Sequence, residues 1–321
     1  MTATILVTGS NGYIGSHVII SLLQHDYHVV AIDNLCHSEI NILHSIYTIT
    51  NKTITFYPYD IRDEVKLKEV FTKHHIDKVI HLAALKSIPD SIHNPMLYYD
   101  NNVVGTLTLL KVMEEFTVNT IVFSSTAAVY DVNTSYYLKE ESPVNPISPY
   151  GHSKLIIEDI LKHCHINAII LRYFNPIGNH PSGLLLDING ANIMPMICKS
   201  VIKKHRLSIY NNNTIDGSGI RDYIHVMDVA DAHIKVLNVH GYHIYNIGTG
   251  KGTSVLELVK KMESTLGTIV PFDIVPSRPG DLPTVICLAD KIKNELGWEP
   301  TLTLDNMCQD VITALKVKQL I

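Results

Sequence analysis

The stretch Ile5-Leu6-Val7-Thr8-Gly9-Ser10-Asn11-Gly12-Tyr13-Ile14-Gly15-Ser16-His17 decides the fold. A short apolar run rich in β-branched residues reads as a buried strand. It breaks into three glycines spaced three apart, and an apolar-periodic segment from Ile14 to Leu23 then reads as a helix. Glycines between a strand and a helix permit a tight turn and close backbone approach to a pyrophosphate, whose charge is favoured by the N–H groups and positive dipole end of the helix. The next strand, His28 to Ile32, ends in Asp33, about twenty residues beyond the glycines. A carboxylate there suits adenosine ribose hydroxyls and repels a 2′-phosphate, so NAD is the expected cofactor rather than NADP.

Working outward, short β-branched runs alternate with longer 3.6-periodic segments, the signature of parallel strands joined by crossover helices. Strands are expected at Thr4 to Thr8, His28 to Ile32, Ile54 to Tyr57, Lys78 to Leu82, Thr120 to Ser124 and Ala168 to Arg172. The fold class is α/β, a doubly wound and mostly parallel Rossmann-type sheet followed by a smaller C-terminal α/β substrate-binding domain. After Arg172 the pattern loosens into Gly-, Pro- and Asn-rich loops, with helices near Ile193 to Lys204, Ser254 to Leu266 and Leu304 to Val317. The expected boundaries are 1–173 for the NAD-binding domain and 174–321 for the substrate domain. Residues near 221–248, with a helix at Val226 to Leu237 and a strand at His243 to Ile247, return to the first sheet.

Tyr150 followed by Lys154 carries the chemistry. Tyr-x-x-x-Lys is common as a solvated i,i+4 pair, so context must decide. The loop Ser142 to Pro149 delivers Tyr150 to the start of a helix whose apolar positions Leu155, Ile156, Ile160 and Leu161 face a core. A free phenol is only ~0.1% ionised at pH 7, and a tyrosine base needs its pKa lowered by ~3 units, or ~4 kcal/mol. A positive charge about 5 Å away at an effective dielectric near 20 supplies roughly 3 kcal/mol. Lys154 is therefore expected to pull Tyr150 down.

Composition excludes several classes. With 26 basic and 31 acidic residues, a net charge of −5 and no basic block, neither nucleic acid nor an anionic membrane surface is an expected partner. The apolar runs are interrupted after a few residues, and Met1-Thr2-Ala3 leads directly into the first strand, so neither a membrane span nor a signal peptide is expected. A cytoplasmic location is expected on that ground, and five cysteines without a C-x-x-C spacing suggest neither a disulfide framework nor zinc. Among 18 histidines, His74-His75 and His163/His165 invite a metal reading. They lack the i,i+4 helical spacing and sit at expected helix ends, where imidazoles can satisfy terminal carbonyls, so no metal is expected.

Further stretches extend the pattern: DNLCHS from Asp33, LAALKS from Leu82, YYDNNVVGT from Tyr98, VFSSTAAVY from Val122, SPYGHSK from Ser148, RYFNPIG from Arg172, GSGIRDYIHVMDVADAH from Gly217 and RPGDLP from Arg278. From Ile5 to about Asp310 the chain resembles the extended short-chain dehydrogenase/reductase superfamily and, within it, the UDP-glucose 4-epimerase family. The resemblance implies Tyr150 as base, Lys154 as its electrostatic partner and Thr126 as the hydroxyl bonded to the sugar oxygen. It assigns Gly9, Gly12, Tyr13, Ile14, Gly15, Asp33 and Asn34 to the adenosine and diphosphate of NAD, and Asp60 and Ile61 to adenine. Leu82, Ala83, Ala84 and Lys86 would follow the middle of the cofactor, and Asn102, Ser124 and Tyr173 its nicotinamide end. Lys86, Thr126, Asn175, Asn192, Ser208, Tyr210, Arg221, Arg278 and Asp281 would serve the UDP-sugar, two arginines suiting a diphosphate. Without the resemblance, Arg221 reads as an ion-pair partner, Arg278 as a solvated loop residue and Asn102 as a helix cap.

The implied reaction is C4 epimerisation of a UDP-hexose through a 4-keto intermediate, with a homodimer formed through helices near Met96 to Glu115 and Tyr150 to His163. A 4,6-dehydratase of the same superfamily would need Asp-Glu directly after its threonine. Here Ala127 and Ala128 follow Thr126. A non-catalytic NAD and sugar-nucleotide sensor is the other alternative, and the presence of Tyr150, Lys154 and Thr126 speaks against it. Val285 matches a position that is either tyrosine, restricting the enzyme to glucose and galactose, or a smaller residue that admits an N-acetyl group. UDP-N-acetylglucosamine and UDP-N-acetylgalactosamine are thus expected substrates too. Asp131 and His152 depart from the family pattern without removing a catalytic group.

Overall fold

The computed structural model describes residues 3–131, 135–188, 190, 192–212, 214–277 and 282–321. Its strands are β1 (Thr4–Thr8), β2 (His28–Ile32), β3 (Thr55–Tyr57), β4 (Lys78–His81), β5 (Thr120–Thr126), β6 (Tyr137–Leu138), β7 (Asn167–Tyr173), β8 (Asn175–Ile177), β9 (Leu207–Tyr210), β10 (Ile220–His225), β11 (Tyr242–Ile247), β12 (Gly252–Ser254), β13 (Phe272–Val275) and β14 (Thr284–Cys287). The α-helices are α1 (Tyr13–Gln24), α2 (Ile42–Thr50), α3 (Glu64–Lys73), α4 (Ile88–His93), α5 (Pro95–Tyr98), α6 (Gly105–Glu115), α7 (Pro149–His163), α8 (Ile193–Lys203), α9 (Val226–Val236), α10 (Val255–Leu266), α11 (Asp290–Leu296) and α12 (Leu304–Val317).

The chain divides into two compact units. The first comprises Met1–Tyr130, Val144–Arg172 and Ala230–Tyr245; the second comprises Asp131–Pro143, Tyr173–Val229 and Asn246–Ile321. A seven-stranded sheet in the order β11-β7-β5-β4-β1-β2-β3 forms the frame of the first unit. The neighbours β3–β2, β2–β1, β1–β4 and β4–β5 are all parallel. The strand order reverses between β1 and β4, and a doubly wound sheet opens its ligand crevice beyond the strand C-termini at such a point. Thr8 and His81 are the last residues of those two strands, paired in register.

β1 and β2 are buried beyond their first residue, which is why they read as apolar runs rather than alternating ones. Leu6, Val30, Ile32, Val79, Ile121 and Phe123 of the sheet pack with Leu67, Leu109, Val112, Ile157 and Leu161 of the helices in one core. Ser148 caps α7 by accepting a hydrogen bond from the Gly151 N–H, and Pro149 takes its first turn, so Tyr150 is placed at the helix entry. The region expected to be one helix near Met96 to Glu115 is instead α5, a π-helical turn at Tyr99–Val104 and α6. Asn101 and Asn102 lie inside that turn and are not caps.

In the second unit a five-stranded sheet runs β12-β10-β14-β6 with β8 also paired to β10, and β9 pairs with β13. Ile177, Met194, Leu207, Tyr223, Leu258, Met262 and Ile312 belong to its core. Capping boxes at Ser254 with Glu257 and at Thr303 with Asn306 start α10 and α12. Among the described residues no helix is long and apolar enough to cross a membrane.

Candidate active site

The glycine turn is built for close approach. Gly9 has φ +68, and a Cβ there would come 2.6 Å from the Ala83 backbone nitrogen. At Gly15 a Cβ would collide with the Gly9 carbonyl oxygen, so neither position accepts a side chain without movement. Gly12 differs: it has no such collision, the Gly9 oxygen standing 3.3 Å from its would-be Cβ, and it starts α1 with no side-chain cap. Its missing side chain leaves the helix N-terminus, with Tyr13 and Ile14 as its first residues, approachable by an anion. The loop Leu82 to Ala84 closes on the turn, with Leu82 N–H donating to the Thr8 carbonyl and Ala83 N–H to the Thr8 hydroxyl. Asp33, at the end of β2, accepts from the Asn11 N–H (3.0 Å), the Leu35 N–H (2.8 Å) and the Ser38 hydroxyl (2.8 Å). It therefore fastens the glycine turn to the segment after β2. Asn34 donates to Asp60, which also pairs with Arg62 at 2.8 Å, and these bonds hold the Asp60 carboxyl well below the usual range. Ile61 is buried against Gly105.

Thr126, the last residue of β5, bonds Tyr150 through its side chain and accepts from the Ala128 N–H at 3.1 Å. One turn along α7 from Tyr150, the buried Lys154 ammonium donates to the Ser124 carbonyl at 2.7 Å and lies 4.7 Å from the centre of the Phe123 ring. Asn102 accepts from the Leu85 N–H and donates to the Leu85 carbonyl and to Ser153 (3.0 Å), which joins the π-helical turn to α7. Lys86 is exposed.

The electrostatics differ from the sequence expectation. Burial raises the Tyr150 phenol above its ordinary value, and the Thr126 hydrogen bond only partly opposes it. Burial likewise pulls Lys154 down to about 7, with the Glu158 charge resisting. The approximation of one charge at an intermediate dielectric omits what taking the phenol and the ammonium out of water does to each. Tyr150 keeps some accessible surface although its phenol is deep in the protein, as expected of a reachable group rather than a core one.

In the second unit, Arg221 of β10 is in register with Val285 of β14 in a parallel pair, so both side chains leave the sheet on the same face. A Cβ at Gly219 would come 2.9 Å from the Arg221 guanidinium and 3.0 Å from the Asn212 amide, and Asn212 donates to the Tyr210 carbonyl. Tyr210, Asn212, Gly219, Arg221 and Val285 thus share one neighbourhood. Asn175 is attached to β10 through the Asp222 carbonyl. Asp222 itself accepts from Thr249, Gly250 and Cys287, which holds β10, β14 and the loop after β11 in place around Arg221. Ser208 is paired with Asp273 of β13, and Asn192 stands exposed at the start of α8. Tyr173 is buried at the end of β7. Arg278 and Asp281 lie outside the described residues. Among the described residues no group of histidine, cysteine or acidic side chains could hold a metal ion.

Comparison with known proteins identifies the family. A family model described as GDP-mannose 4,6 dehydratase matches residues 6–311. The UDP-glucose 4-epimerase of Bacillus subtilis (strain 168) is 44% identical over 323 residues, covering 95% of each chain. The chain belongs to the UDP-glucose 4-epimerase family. Of solved structures, UDP-glucose 4-epimerase from Bifidobacterium longum in complex with NAD+ and UDP matches with a TM-score of 0.95 at 40% identity over 99% of both chains. The UDP-Glc/GlcNAc 4-epimerase of Campylobacter jejuni matches with a TM-score of 0.84 at 30% identity over 98% of this chain and 99% of that one.

Sequence reading did not single out Asp222, Asn212, Glu158 or Arg172. Arg172 had a signal: a guanidinium ending the apolar run Ala168 to Leu171 needs a buried partner. Which residue supplies it depends on packing.

Proposed function

We propose that the protein is an NAD-dependent 4-epimerase that interconverts UDP-glucose with UDP-galactose and UDP-N-acetylglucosamine with UDP-N-acetylgalactosamine. The observation that carries this is the Thr126–Tyr150 hydrogen bond beside a buried Lys154, on a sheet whose switch point bears the Gly9–Gly15 turn. Gly12 to Ile14, Asp33, Asp60, Leu82 to Ala84 and Lys86 would hold the dinucleotide, with Asn102, Ser124 and Tyr173 toward its nicotinamide. When bound, NAD supplies the acceptor and then the donor of the C4 hydride. Tyr150 takes the proton of the C4 hydroxyl while Thr126 holds the same oxygen, and Tyr150 later returns the proton. The Lys154 ammonium favours the negative charge of the phenolate that takes this proton. Asn175, Asn192, Ser208, Tyr210 and Arg221, with Arg278 and Asp281, would bind UDP. Placing the binding energy on the nucleotide leaves the sugar free to turn and present its other face.

The test is incubation of the purified protein, without added nucleotide, with UDP-galactose and separately with UDP-N-acetylgalactosamine, with the C4 epimers resolved by chromatography or NMR. Conversion of both is expected; conversion of neither by protein that contains bound NAD would refute the reading. Val285 supports the second pair of substrates, because it stands side by side with Arg221 and lacks the bulk of a tyrosine ring. Val285→Tyr is expected to reduce kcat/KM for the N-acetyl substrate about 100-fold and to change that for UDP-galactose by less than about threefold. Equal loss on both substrates would remove Val285 from substrate selection.

A homodimer belongs to this reading. Met96, Leu97, Val104 and Leu107, on and between α5 and α6, are exposed, as is Ile156 of α7, although helical periodicity places it toward the core. Apolar side chains on neighbouring helices of this kind suit a second copy of the same face. Sedimentation should give twice the chain mass, and Met96→Glu with Leu107→Glu should give the monomer. A cytoplasmic setting is supported by five cysteines that all remain thiols.

A further inference from the structure

We propose that the buried Glu158–Arg172 ion pair positions the proton-transfer side chains, with Glu158 acting on Lys154 along α7 and on Thr126 through Ser125. The inference rests on the 4-epimerase reading of the same site. Arg172, from β7, grips Glu158 with two hydrogen bonds, Nε to Oε1 at 3.0 Å and Nη2 to Oε2 at 2.6 Å, and both side chains are buried. The Ser125 hydroxyl donates to the same Glu158 Oε1. The Arg172 guanidinium lies 4.7 Å from the centre of the Tyr130 ring, and Tyr242 of β11 donates to the Glu158 backbone carbonyl at 3.2 Å. The pair is therefore fixed from β5, β7 and β11 as well as from α7.

A buried ion pair of this quality is a poor stabiliser, because desolvation offsets much of its attraction, and well-packed apolar residues often do as well. Its geometry suggests another use. Ser125 immediately precedes Thr126, so the carboxylate that holds Ser125 also fixes the strand end from which Thr126 reaches Tyr150. Tyr150, Lys154 and Glu158 are spaced at four residues on one helix, so Glu158 lies about 6 Å beyond Lys154 along the axis and about 12 Å beyond Tyr150.

Its negative charge thus favours the Lys154 ammonium more than it disfavours the Tyr150 phenolate. Among the described residues, Arg172 stands on the Glu158 carboxylate, and the groups placed against Lys154 itself are uncharged: the Ser124 carbonyl and Phe123 ring of β5, and His81 of β4, which burial holds down to about 3. Burial disfavours the Lys154 ammonium, and Glu158 is the charge that resists. Removing it leaves less ammonium at neutral pH, and the phenolate then forms only at higher pH.

The test uses the wild-type protein, the double variant Glu158→Gln with Arg172→Met, which leaves no unpaired buried charge, and Ser125→Ala, which leaves the ion pair intact. With UDP-galactose the double variant is expected to lose about tenfold in kcat at neutral pH, with KM changed by less than about threefold, and to regain activity as the pH rises. Ser125→Ala should lower kcat several-fold without shifting the pH profile. The Tyr150 phenolate, read by ultraviolet absorbance as the difference from Tyr150→Phe, should titrate about one unit higher in the double variant. That titration needs no turnover, so inactive wild-type protein would count against the 4-epimerase reading alone. A folded double variant with wild-type kcat, pH profile and phenolate titration would overturn the proposal.

Discussion

Replacing Tyr150 by phenylalanine lowers kcat for C4 epimerisation by roughly a thousand- to ten-thousand-fold, while the affinity for UDP and for NAD stays near wild type. The loss corresponds to about 4 to 5 kcal/mol of transition-state stabilisation. Phenylalanine keeps the ring and its packing but removes the hydroxyl that bonds Thr126 and would exchange a proton with the C4 oxygen. Its described neighbours do not substitute: Lys154 is committed to the Ser124 carbonyl, and Thr126 is an alcohol that accepts from the Ala128 N–H. Steady-state kinetics with UDP-galactose, alongside isothermal titration with UDP, checks the result. A Tyr150→Phe enzyme within tenfold of wild type would remove Tyr150 from the proton-transfer step.

Gly9→Ala abolishes tight NAD binding and lowers stability by about 3 kcal/mol, a shift of several degrees in Tm. Two costs coincide at this residue. A φ of +68 is unfavourable for any L side chain, and the added Cβ would stand 2.6 Å from the Ala83 nitrogen and 2.8 Å from its Cα, both backbone atoms that cannot rotate away. Relief requires the turn and the loop after β4 to part, and these carry the residues assigned to the diphosphate and to the middle of the cofactor. Titration with NAD and thermal unfolding measure the two effects separately. Wild-type NAD affinity in Gly9→Ala would show that the turn does not hold the dinucleotide.

The first half of the chain was legible because its signals are local. β1 and β2 match the expected limits residue for residue, and the other expected strands of the large sheet differ by one or two residues at an end. The helices α8 and α12 and the strand β11 were equally readable from periodicity. The short strands β8, β10, β12 and β14 were not, since three- to six-residue segments between loops become strands only when a distant partner completes their hydrogen bonds. The π-helical turn before α6 was missed for a related reason: Asn102 spends its side chain on Leu85 and Ser153, contacts invisible to helical periodicity.

By itself the sequence determined the strand–turn–helix with its three glycines, the acid after β2, the Tyr150 and Lys154 spacing and the family. All but the last are properties of neighbours along the chain, and the family rests on the ordered series of such stretches. Only the tertiary structure decided that Asp33 also ties down the glycine turn, that Val285 lies side by side with Arg221, and that Arg172 finds Glu158. It also reversed the expected direction at Tyr150: the sequence reveals a charge four residues away, but how much water each group loses is set by everything folded around it.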